Sequence, residues 1–201
     1  MTKIDYRDTR VTNRMRRGLE RINEALRGTE IDPSIVAPLV RIFNVSLNRG
    51  GRAFAMGPSW QNMPSEERAR ITIDGEPVVE LDYCSLHPAI LYAEAGTTLP
   101  KDCYDLAGWP RNLVKAATLI MINAANEHSA RQAIAHNGQM AALARLGDQE
   151  AHRKAQALID GIKVLHRPIA SFFHSDAGAR LMKIDSGMAE TVMNILLARG
   201  I

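Results

Sequence analysis

Apolar and polar positions change period several times along the chain, and each change predicts a different element. RMRRGLERINEALRG, from Arg14, spaces its apolar residues three to four apart and predicts a helix ending at Gly28. DPSIVAPLVRIFNVSL follows, with Asp32 placed as N-cap and Pro33 at the first helical position, and predicts a second helix. Asn48 to Pro64, NRGGRAFAMGPSWQNMP, is rich in Gly, Pro and Asn and predicts an ordered loop. In ARITIDGEPVVELDY two β-prone runs flank Asp74-Gly75, which predicts a hairpin. Helical spacing then returns in LHPAILYAEA and again after Pro110, in RNLVKAATLIMINAA. It continues through SARQAIAHNGQMAALARL, through EAHRKAQALIDGIKVLHRPIASFF with a break near Pro168, and through DSGMAETVMNILLARG. The expected fold is therefore α+β and mostly helical, with one short antiparallel hairpin carrying Asp82.

Composition adds limits. A length of 201 residues, 46% of them apolar and 23% charged, suits a globular chain with a real core. No apolar run reaches the ~20 residues of a membrane span, and MTKIDYRDTRVTNR has no signal-peptide core. Two cysteines, Cys84 and Cys103, form no metal spacing and no disulfide framework, which points to a reducing cytoplasm. The net charge of +3 is concentrated in the first segment, which includes Arg14, Arg16, Arg17 and Arg21. Such a segment suits a phosphate backbone or, equally simply, a solvated helix face.

The candidate chemistry centres on VVELDYCSLHPAILY, Val78 to Tyr92, where Asp82 stands between a strand-like and a helix-like run. It caps the helix or holds a metal ion at a strand end. Other chemistries find no support. The histidines His87, His128, His136, His152, His166 and His174 lack zinc spacing, and there is no Gly-x-Ser-x-Gly elbow or phosphate loop ending in Gly-Lys-Ser/Thr.

Four stretches in order resemble family A DNA polymerases, the bacterial repair type, over roughly residues 40–201. GGRAFAMGPSWQNMP is similar to the family's segment along the primer–template backbone, which implies nucleic-acid contacts from Arg52, Gln61 and Asn62. LDYCSLHPAIL resembles its first catalytic motif, which makes Asp82 a ligand of both Mg²⁺ ions and gives one of them the Tyr83 carbonyl. His87 stands where the family has a glutamate over the sugar. RNLVKAATLIMINA is similar to the fingers helix, which implies triphosphate contacts from Arg111 and Lys115; Asn123 takes the place of the family's tyrosine. Leu119 and Ala124 replace the aromatic platform and the glycine. KAQALIDGIKVLHRPIASFF and DSGMAETVMNILLARGI resemble the helices before the third motif, a His-Asp hairpin whose place would come after Ile201.

The resemblance implies thumb-side helices over 1–48, a palm-like segment over 49–109, fingers-like helices over 110–175 and a palm helix over 176–201. Glu80, two residues before Asp82, is expected on the same strand face and so within reach of the same ion, although its place is not a ligand in the family. The implied activity is template-directed nucleotidyl transfer, in a compact branch of the kind carried by phages and mobile elements. Mg²⁺ is the implied cofactor; primer–template DNA and nucleoside triphosphates are the implied partners, with no membrane. With the second carboxylate to be supplied by a longer parent chain or by an adjacent C-terminal polypeptide, residues 1–201 alone are expected to be inactive or nearly so. The alternative is a non-catalytic nucleic-acid or nucleotide-binding protein derived from a polymerase.

Overall fold

A computed structural model describes residues 5–34, 37–144 and 147–200. Parts of the expected elements at 35–36, 145–146 and 201, and the first four residues of the thumb-side segment, lie outside that set. The protein is 56% helix and 9% strand, an α+β protein with small antiparallel sheets. It forms two compact units, Met1–Tyr83 with Met182–Ile201, and Cys84–Leu181.

The first unit opens with α1 (Arg10–Gly28), which starts earlier than the apolar spacing indicates because Thr9 caps it. The Thr12 amide donates to Thr9 Oγ1 at 3.1 Å and the Thr9 amide to Thr12 Oγ1 at 2.7 Å, a reciprocal cap. Arg14, Arg16, Arg17 and Arg21 all sit on its exposed face. Asn23 reaches from α1 to the next element. Its amide accepts from the Leu39 N–H at 2.8 Å and donates to the Leu39 carbonyl at 3.0 Å, as a neighbouring strand would.

The expected helix after Asp32 is replaced by strands. β1 (Ile31–Asp32) and β2 (Leu39–Phe43) occupy the described part of that segment, and β2 pairs antiparallel with β3 (Gly50–Ala55), inside the expected loop. Local start signals lose here to cross-strand pairing, because LVRIF has the β-branched and aromatic content that a pleated surface favours. Glycine makes β3 fit. Gly51 has φ +85°, and a Cβ there would stand 2.6 Å from the Phe43 ring.

A 3₁₀ turn (Trp60–Asn62) and the short α2 (Ser65–Arg68) lead to the hairpin β4 (Thr72–Ile73) and β5 (Glu76–Pro77). Its turn is where expected, with Asp74 at φ 51° and Gly75 at φ 81°, both left-handed as a two-residue hairpin requires. β1 adds to β4, giving the order β1-β4-β5. The strand does not extend to Asp82. Residues 78–83 form no ladder, and Val79 and Leu81 are 80% and 89% exposed.

The second unit holds α3 (Leu86–Glu94), α4 (Arg111–Asn123), α5 (Glu127–Ala135), α6 (Gly138–Ala144) and α7 (Asp148–Leu165), followed by a 3₁₀ stretch (Arg167–Phe172). Pro110 is the N-cap of α4 rather than its first residue. The expected helix through SARQAIAHNGQMAALARL divides into α5 and α6 at His136, which closes α5. Leu113, Val114, Ala117 and Met121 on α4 and Leu158, Ile159 and Ile162 on α7 are all fully buried, and the two helices are in contact. The last helix, α8 (Gly178–Ala198), starts before the DSGMAET segment and runs through the division between the units.

Candidate functional site

The first unit encloses an open cavity of about 710 Å³. Arg52, Gln61, Asn62 and Asp82, singled out from separate stretches of sequence, all line it. Glu80 joins them, on the same side as Asp82 as its two-residue spacing predicts, and so do Arg41, Arg68, Asp185 and Glu190, which sequence reasoning did not place there. Trp60, Phe54, Leu19 and Met193 supply apolar surface.

Each of the three arginines meets a carboxylate, and the surroundings separate them by role. Arg41 donates to Glu190 at 2.6 Å, to the Gly51 carbonyl at 2.7 Å and to Ser186 Oγ at 3.2 Å, with its guanidinium 5.2 Å from the centre of the Phe43 ring. Its side chain is only 7% exposed, so it is fully committed to joining β2, β3 and α8. Arg52 is different. It reaches Asp185 through a single 3.0 Å contact and is 53% exposed. Arg68 holds Glu80 at 3.1–3.3 Å and also donates to the Met63 carbonyl at 2.8 Å.

Gln61 does not extend into the cavity as a free donor. Its Oε1 accepts from the Ala55 N–H at 2.8 Å and its Nε2 donates to the Ala53 carbonyl at 3.2 Å. The amide therefore acts as a one-residue strand on the edge of β3, and it pins the backbone close to Arg52. Asn62 is exposed at the end of the 3₁₀ turn.

Asp82 is exposed, and its Oδ1 accepts the N–H of the next residue, Tyr83, at 2.8 Å. It does not cap α3, whose N-cap is Ser85 with a left-handed φ of 54°. Nor does it end a strand. Alternation survives all the same. Glu80 and Asp82 line the cavity, whereas Val79, Leu81 and Tyr83 do not, and these three are more than half exposed.

Oxygen donors of this kind suit Mg²⁺, which takes carboxylates in tight octahedral geometry. Their arrangement does not fit a preformed site. Among the described residues no three His, Cys, Asp or Glu side chains gather to hold an ion, and Glu80 and Asp185 are each occupied by an arginine.

The residues expected to hold a nucleotide lie in the second unit. Arg111 and Lys115 occupy the exposed face of α4 one turn apart, as their spacing predicts. Arg111 donates to Asp102 at 2.7 Å with its guanidinium 5.4 Å from the Tyr104 ring centre, and this contact, helped by the Tyr104 N–H, holds the Asp102 carboxyl below its ordinary range. Lys115 has no polar partner among the described residues. His87 is half-buried near the start of α3. Asn123 is engaged within the fold. It donates to the Leu119 carbonyl at 2.7 Å, and a Cβ on Gly178 would come within 1.7 Å of its Oδ1.

The arginine–carboxylate pairs had only a faint sequence signal. Ser186 and Glu190 are one helical turn apart on α8, but nothing in the chain pairs them with Arg41. The chain matches no known protein family, no curated protein and no solved structure.

Proposed function

We propose that the protein binds nucleic acid through the cavity of its first unit, as a polymerase-like module that needs no metal ion to bind. The observation that carries this reading is the convergence of Arg52, Gln61, Asn62 and Asp82 with Arg68 on one cavity. Guanidinium groups bind phosphates in bidentate fashion, and Trp60 and Phe54 offer faces on which bases can stack. The test is fluorescence anisotropy with a labelled single-stranded oligonucleotide in EDTA. Binding should weaken several-fold in Arg52→Ala, with a salt slope lower by about one phosphate contact. No binding by the native protein at low salt would overturn the proposal.

A second reading, template-directed nucleotidyl transfer, draws support from Asp82 lining that cavity beside Arg52, Gln61 and Asn62, the residues of the two polymerase-like stretches that precede the fingers-like helix. Arg111 and Lys115 on α4 suit a triphosphate in the same reading. Primer extension by this chain that required Mg²⁺ and vanished in Asp82→Ala would establish it over the first.

A further inference from the structure

We infer that Asp185 and Glu80 are built-in competitors of the nucleic-acid backbone, occupying Arg52 and Arg68 until phosphates displace them. The inference rests on the nucleic-acid reading above and adds a mechanism by which the cavity restrains its own affinity. Its basis is the pairing of all three cavity arginines with acids of the same cavity.

The three pairs are unequal, and their exposure decides which can exchange. Half-exposed ion pairs contribute little net stability, so another anion can replace a partner at little cost. Arg52 with Asp185 and Arg68 with Glu80 belong to this class, since one member of each pair is more than half exposed. Arg41 with Glu190 does not. Its guanidinium is buried and its donors reach β3 and α8, so it stays in place as an internal reference.

The backbone geometry suits an exchange confined to side chains. Gln61 fixes β3 at Ala53 and Ala55, the residues that flank Arg52 in sequence or lie close to it, so Arg52 can turn without moving its strand. Arg68 retains its bond to the Met63 carbonyl through Nη1 while Nε and Nη2 hold Glu80, so it can change anions while anchored. A phosphodiester chain is the occupant that matches two exchangeable guanidiniums beside the apolar surface of Trp60 and Phe54.

The consequence is counter-intuitive for a carboxylate on a binding cavity: removing its charge should tighten binding. Asp185→Asn should lower the dissociation constant for a single-stranded oligonucleotide about fivefold, the fold-change that corresponds to one exchangeable pair. The effect should disappear when Arg52 is already alanine, because the competitor then has nothing to occupy. Glu80→Gln should behave in the same way toward Arg68→Ala, and it covers the case of an Asp185→Asn protein that does not fold. Glu24→Gln on α1 controls for net charge.

Tightening by either variant that vanishes in the matching arginine background supports the inference. Equal affinity of the native and substituted proteins overturns it while leaving nucleic-acid binding standing. So does tightening that persists without the arginine or is matched by Glu24→Gln. No binding by any of the proteins overturns both the inference and the function on which it rests.

Discussion

The two units distribute burial and charge in opposite ways. The largest fully buried side chains, from Leu91 and Leu113 through Leu158, Ile162 and Leu181, all belong to the second unit. The first unit has a thinner interior, with Ile22, Ala37 and Leu39 at 5–6% exposure, and around its cavity are three arginine–carboxylate pairs. Hydrophobic burial supplies most of a domain's stability, whereas exposed ion pairs add little. The second unit is thus built to be stable, and the first to present charge.

Large-to-small substitution gives the strongest test of that contrast. Leu158→Ala on α7 should cost about 3 kcal/mol in urea denaturation, within the usual range for a fully buried leucine. A loss under ~1 kcal/mol would remove the second unit's claim to be the better packed.

Gly51→Ala addresses the first unit, where backbone geometry replaces bulk. The added methyl meets the Phe43 ring and forces a left-handed φ on alanine, so a loss of roughly 1–3 kcal/mol should follow. Phe43→Leu combined with Gly51→Ala should recover the steric part only. No loss in the single variant would show that β2 and β3 accommodate the ring elsewhere.

A smaller effect is expected from pH, and it belongs to the second unit. His166 is fully buried, with its Nδ1 3.1 Å from the Tyr92 hydroxyl and the Phe173 ring edge-on, and burial pushes its pKa down against a backbone contact from Cys103. His174 is lowered too, by burial and then by Lys163, while Glu127 acts in the other direction. As pH falls below the ordinary imidazole value of ~6.5, the unfolded chain takes up these protons before the folded one does. Stability is full above that pH and declines as pH drops toward the folded values. Below the ordinary carboxylate range, Glu127 and Glu94 add further losses, because Lys163 and Arg180 hold their pKa values down. His166→Asn should flatten the decline between about pH 6.5 and 5, measured as Tm against pH; an unchanged slope would assign it to other groups.

Particular elements show how far the sequence could be read. The turn at Asp74-Gly75 and the helix after Pro110 were legible because their signals are local: left-handed residues at a tight turn, and apolar positions at helical spacing. The strands β2 and β3 were not. Asp32-Pro33 resembles a helix start and Gly50-Gly51 resembles a loop, yet each segment supplies the other with a partner. VVELDY shows the converse. Its alternation predicts a strand, but beyond the Val78 N–H, which reaches the Ile71 carbonyl at 3.4 Å, no ladder forms over 78–83 among the described residues.

The sequence by itself determined that helices dominate and singled out candidates such as Arg52, Asp82 and Arg111, because residue type and periodicity are properties of short stretches. It placed Arg111 and Lys115 on one helix face for the same reason. Only the tertiary structure decided that Arg52, Gln61, Asn62 and Asp82 share one cavity, and that Asp185 and Glu80 occupy its arginines. Those contacts join positions as many as 133 residues apart. No local pattern specifies such a pair, since its two members meet only after strand pairing and helix packing have fixed where each backbone runs.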